Sequence, residues 1–191
     1  IYKTMACLIT EGRKVPCKSA FGGIKRVYFC NFGDASITLD ATAATLNEVT
    51  AITMEASAVF MQYDVKGNSS LETTITSSRD NGTTFYTQTL NLTLPYLDNL
   101  TKNQIQLLAV SRPQMIVEDY YGNRFFCGFE NGMDLSGGTI VTGAAAGDLS
   151  GFTLVMEGME EFAPYFIDSA VVIDVTAGNQ IDPTLIAVPQ P

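Results

Sequence analysis

Apolar and polar residues alternate with period two in one segment after another, and the period lengthens only once. Strand side chains point alternately to opposite faces, so such alternation marks a half-covered strand. Phe152, Leu154 and Met156 alternate with Thr153, Val155 and Glu157, which predicts a strand over 152–158. Leu90, Leu92 and Leu94 against Thr89, Asn91 and Thr93 predict another over 85–94. Over 56–66, Val59, Met61, Tyr63 and Val65 face one way, while Gln62, Asp64 and Lys66 face the other. Residues 71–79 are largely Thr and Ser, a strand solvated on at least one side. In 24–32 the even positions (Ile24, Arg26, Tyr28, Cys30, Phe32) and the odd Val27 and Phe29 are both partly apolar, so this strand is covered on both faces. Residues 113–120 and 124–130 read as a strand and its return, and 170–175 as the last strand.

The longer period falls at Leu97, Leu100, Gln104 or Ile105, and Leu108, an apolar stripe at helical spacing that predicts a helix over 97–110. Asp98 or Asn99 can cap it, and Arg112-Pro113 stops it, because a residue before proline disfavours the α region. Turn chemistry separates the strands. Asp80-Asn81-Gly82 is the strongest such signal and predicts a type I′ turn; Gly67-Asn68 predicts a hairpin turn and Tyr121-Gly122-Asn123 a tight turn. Residues 35–55 are weakly patterned and read as a short strand plus an extended loop, and Gly137, Gly138, Gly143, Gly147 and Gly151 mark a loose loop. About nine or ten short strands with one helix predict an all-β fold, a sandwich or barrel flanked by that helix. The domain spans 24–176, between an N-terminal arm, 1–23, and a Pro-containing tail, 177–191.

Composition removes most chemistry from this picture. There is no His, so a Ser-His-Asp or Cys-His site is impossible. No phosphate-cradling glycine motif occurs, and adjacent acids such as Glu118-Asp119 and Glu160-Glu161 point to opposite faces of a strand rather than across a cleft. Cys7, Cys17, Cys30 and Cys127 lack C-x-x-C spacing and read as free thiols. The pattern points to an assembly or binding role without a cofactor, not to an enzyme. No apolar run approaches the roughly 20 residues of a membrane span, and residues 1–10 lack a signal peptide's apolar core, which reads as a soluble protein from a reducing compartment.

Charge is unevenly placed. Residues 1–26 hold six of the eleven basic residues and one acid; the rest of the chain holds nineteen acids and five bases, and no base follows Arg124. The net charge is −9. Such a body repels nucleic-acid phosphates instead of binding them. Glu118, Glu130, Asp134 and Glu157 are the candidate acids for a surface facing nucleic acid. The arm is basic but also apolar, so Tyr2, Lys3, Met5, Leu8, Arg13, Lys14 and Lys18 are candidates for docking on an acidic neighbouring subunit.

Around the helix the residues carry a resemblance. Arg112-Pro113-Gln114-Met115-Ile116-Val117-Glu118-Asp119 leads through Tyr121-Gly122-Asn123 to Arg124-Phe125-Phe126-Cys127-Gly128. Thr142-Gly143-Ala144-Ala145-Ala146-Gly147-Asp148 then precedes Gly151-Phe152-Thr153-Leu154-Val155-Met156-Glu157-Gly158 and an acidic run from Glu161 to Pro164. This order, over roughly residues 85–166, resembles the tail tube proteins of long-tailed bacteriophages, whose fold the secretion tube proteins called Hcp share. The resemblance implies a barrel or sandwich with one flanking helix. It implies rings, usually hexameric, that stack into a tube, each sheet continuing into the neighbour's. Its partners would be further copies of itself, other tail proteins, and DNA that passes without specific binding. Its place would be the virion tail, after synthesis in the cytoplasm of a bacterial host. Another virion component (connector, decoration or baseplate-hub protein), a secretion tube and a β-sandwich adhesion module remain open as alternatives.

Overall fold

A computed structural model describes residues 12–15, 18, 21–42, 47–56, 58–65, 68–173 and 175. Among these, eleven strands and one helix form, in the order β1 (Ile24–Cys30), β2 (Ala35–Leu39), β3 (Val49–Met54), β4 (Met61–Asp64), β5 (Ser70–Ser78), β6 (Thr83–Pro95), α1 (Asn99–Leu108), β7 (Gln114–Asp119), β8 (Arg124–Cys127), β9 (Asp134–Val141), β10 (Gly151–Glu160) and β11 (Tyr165–Phe166). They build a five-stranded sheet ordered β11-β8-β7-β1-β4, a four-stranded sheet ordered β5-β6-β10-β9, and a two-stranded hairpin of β2 and β3. The all-β class with one helix is as expected. The architecture is an open sandwich, because both larger sheets keep two edge strands, and the barrel alternative falls.

The interior is built from the alternation. Val27 and Phe29 of β1, Met115 and Val117 of β7, Leu90, Leu92 and Leu94 of β6, and Phe152, Leu154 and Met156 of β10 form one buried cluster. Each burial of such a side chain stabilises the fold by about 1.5–3 kcal/mol. Ile105 of α1 joins the same cluster. The helix begins where Asp98 accepts a hydrogen bond from the Thr101 N–H at 2.8 Å, which satisfies one orphan donor of its first turn.

A second cluster lies on the opposite face of the five-stranded sheet. Tyr28, Cys30, Ile116 and Phe126 pack there against Ala35 and Val49 of the hairpin, Phe60, and Ile167 and Val171 of the chain after β11. Arg124 pins that chain by donating to the carbonyls of Asp168 and Val171. The central strands are thus apolar on both faces because layers cover both. Cys30 and Cys127 are buried free thiols, and burial pushes Cys30 up to about 12 and Cys127 higher still. Cys7 and Cys17 lie outside the described residues.

Several sequence expectations are corrected. Residues 35–55 hold a second strand, β3, because Ile37 and Ile52 share a register and turn the same face to the second cluster. In β1 the pairing with β7 shifts between Ile24 and Arg26, a bulge that moves Ile24 to the side of Val27 and Phe29. The expected turn at 67–68 does not close a hairpin, since β4 pairs β1 and β5 pairs β6 in the other sheet. The β5–β6 turn is a four-residue loop, and only Gly82 there has positive φ, +62°, so it is not type I′. Gly137 and Gly138 belong to a strand, β9, whose polar pattern concealed it; the loop proper is 142–150. Residues 170–173 are not a strand: their backbone follows the short β11 and leaves the sheet.

Candidate assembly surface

Antiparallel neighbours directly opposite share a face, so the register of the four-stranded sheet defines its uncovered side residue by residue. Ser70, Glu72, Thr74 and Thr76 of β5 lie there with Thr87, Thr89, Asn91 and Thr93 of β6 and Thr153, Val155, Glu157 and Met159 of β10. Thr139, Gly137 and Asp134 of β9 complete it. This face is rich in hydroxyls and carries no basic residue. One row crosses the whole sheet: Glu72 opposes Thr89, Thr89 opposes Glu157, and Glu157 opposes Asp134. All three carboxylates are exposed. Like charges directly opposite, here Glu157 and Asp134, are destabilising by a few tenths of a kcal/mol, so this pair does not stabilise the single chain.

Among the described residues, both edges of this sheet are open. β5 and β9 are its terminal strands, nine and eight residues long. Neither holds Pro, Lys or Arg, the usual guards of an edge, and each carries one acid on the outer face. On their inner faces both expose an isoleucine, Ile75 and Ile140. Glycine reinforces the fit of β9 to β10: a Cβ at Gly138 would stand 2.7 Å from the Thr153 carbonyl oxygen.

The four candidate acids fall in three places. Asp134 and Glu157 meet on the row just described. Glu118 lies in the other sheet, on β7, where its Oε1 is 3.3 Å from Lys25 Nζ and 3.8 Å from Arg26 Nη1, and Tyr28 donates to its Oε2 at 2.9 Å. Burial, then the bond to Glu118, raises the Tyr28 pKa. Glu118 is thus ion-paired with Lys25 and Arg26. Glu130 sits in the loop between β8 and β9, where its N–H and that of Asn131 donate to the carboxylate of buried Glu160 at 3.1 and 3.0 Å. Burial raises the Glu160 pKa, those two N–H bonds partly oppose it, and the Glu130 charge adds to it. The same loop is held by two more buried side chains: Gln88 accepts from the Gly128 N–H at 3.1 Å and Gln114 donates to the Phe129 carbonyl at 2.9 Å. These carboxylates and amides are structural clamps.

Arg13, Lys14 and Lys18 are exposed. Tyr2, Lys3, Met5 and Leu8 lie outside the described residues. Glu72 escaped the sequence reading, although its place in a Thr/Ser strand with a polar face was the available signal. Among the described residues no group of three His, Cys, Asp or Glu could hold a metal ion, and no helix is long and apolar enough to cross a membrane. No protein-family model, curated protein or solved structure matches the chain.

Proposed function

We propose that the chain is a structural subunit whose four-stranded sheets join edge to edge into a ring, and that stacked rings form a tube for DNA, the tail tube of a bacteriophage. The observation that carries this reading is the four-stranded sheet itself: a bare, base-free, acid-bearing face between two unguarded edges. Its strands alternate in direction, so β5 and β9 run opposite ways. The β9 of one copy therefore meets the β5 of the next antiparallel, head to tail, and a closed ring leaves no edge of this sheet unpaired. Turned inward, the row Glu72, Glu157 and Asp134 gives the bore fixed negative charge, which denies phosphates a binding site and lets DNA slide. The virion setting rests on the resemblance of residues 85–166, and the ring on the edges.

Sedimentation velocity of the purified chain and of Ile75→Lys tests it. Ile75 is 65% exposed, so the charge is tolerated in the single chain, while a charge on the inner face of an edge strand blocks pairing. The unaltered chain should sediment as large, discrete assemblies and the variant as a monomer. An unaltered chain that remains monomeric at every concentration overturns the proposal.

A further inference from the structure

The edges also carry information about how two copies would meet, an inference that rests on the edge-to-edge reading. Referred to β6, the β5 strand spans the rows of Asn91 to Thr83, since Ser70 opposes Asn91 and Ser78 opposes Thr83. Through β10, the β9 strand spans the rows of Pro95 to Thr89, since Val141 opposes Gly151 and thus Pro95, and Asp134 opposes Glu157 and thus Thr89. The two edges are therefore staggered, and unshifted copies would share only the rows 89–91. A shift between copies must be an even number of residues, or the acidic hydroxyl face of one copy would continue into the apolar face of the next. Of the even shifts, four and six residues place all of β9 alongside β5. With about 3.3 Å per residue and about 4.8 Å between strands, these shifts over four strands tilt the strands by about 35–46°. That is the tilt of closed barrels, about 35–45°. The stagger of the free edges is the one a ring needs.

Beside the β5 edge lies a cleft of about 460 Å³, between this strand and the end of the five-stranded sheet. Its lining includes Ile24, Leu71, Thr73, Phe125, Pro164 and Phe166. Leu71 and Thr73 are inner-face residues of β5. At the other edge, Ile140 is on the inner face of β9, opposite buried Phe152, and is 61% exposed. A shift of four residues sets Ile140 opposite the neighbour's Leu71, and a shift of six sets it opposite Thr73. We infer that at each seam Ile140 of one copy lies against Leu71 or Thr73 of the next and closes the open side of that copy's cleft, so that the sheet-edge contact has an apolar lock behind its main-chain hydrogen bonds. A shift of six sets Ile75 opposite Gly138, which has no side chain, and a shift of four sets it opposite Leu135 on the same inner face.

Paired cysteines on the full-length chain test the register, in a background carrying Cys7→Ser and Cys17→Ser; Cys30 and Cys127 are buried. Ile140→Cys combined with Leu71→Cys or with Thr73→Cys should give disulfide-linked ladders on a non-reducing gel after mild oxidation. Thr139→Cys with Thr76→Cys reports a shift of eight on the other face. A ladder from that pair alone leaves the edge-to-edge reading standing and overturns the proposed register. No ladder from any pair, with a monomeric chain, overturns both. The lock is read separately: Ile140→Ala should lower the association constant about tenfold while circular dichroism of the dilute chain is unchanged. Unchanged association would remove Ile140 from the seam.

Discussion

The two larger sheets are each apolar toward the other, and they differ in what lies on their outer faces. Outside the five-stranded sheet, Tyr28, Cys30, Ile116 and Phe126 are buried beneath the β2–β3 hairpin and the chain after β11. Outside the four-stranded sheet there are hydroxyls, one row of carboxylates, and no cover among the described residues. Among the described residues, the hairpin and the segment after β11 both lie on the first face. In the proposed ring, the bare face and the edges beside it meet the bore and the neighbouring copies.

The largest test of this contrast is a pair of truncations. Phe126→Ala, at 1% exposure on the covered face, should cost about 3–5 kcal/mol in urea unfolding. Thr89→Ala, at the centre of the bare face, should stay within about 0.5 kcal/mol. Equal costs would mean that the two faces are not differently used by the fold.

Glu160→Ala comes next. It leaves the N–H groups of Glu130 and Asn131 without their acceptor, and should destabilise by about 1–3 kcal/mol. Because the folded-state pKa of Glu160 is raised, its contribution is fully present below the ordinary glutamate value of 4.5 and is lost as pH rises through the folded pKa. The gap between the two proteins should therefore widen as pH falls from neutral toward that value. A gap that narrows on acidification would show that the carboxylate needs its charge in place.

Asp98→Ala removes the cap of α1, which closes the interior rather than either outer face, and should cost about 1 kcal/mol with assembly unaffected. The smallest effect has the opposite sign. Glu157→Gln relieves the like-charge pair with Asp134 and should stabilise the single chain by a few tenths of a kcal/mol, most visibly at low salt. A melting temperature that falls would mean the row carries a stabilising contact of its own.

The half-covered strands were legible because Leu90, Leu92 and Leu94, or Phe152, Leu154 and Met156, keep strict period two. α1 was legible because its period is unique in the chain. The β3 and β9 strands were hidden for opposite reasons. β3 is short and leans on a partner nineteen or fewer residues away, with no alternation long enough to read. β9 contains Gly137 and Gly138, which resemble loop residues, and a close approach to the Thr153 carbonyl accounts for Gly138 alone. The acids could be counted but not placed, since strand order, not sequence, brings Glu72, Glu157 and Asp134 into one row and sets Glu118 among Lys25 and Arg26 in another sheet.

Electron cryomicroscopy of the assembled chain tests the central claim most directly. The account predicts a tube whose bore is lined by the continuous four-stranded sheets, with Glu72, Asp134 and Glu157 facing the lumen and β9 of each copy hydrogen-bonded to β5 of the next. A bore lined by the hairpin face or by basic residues, or assemblies in which the β5 and β9 edges stay unpaired, would contradict it.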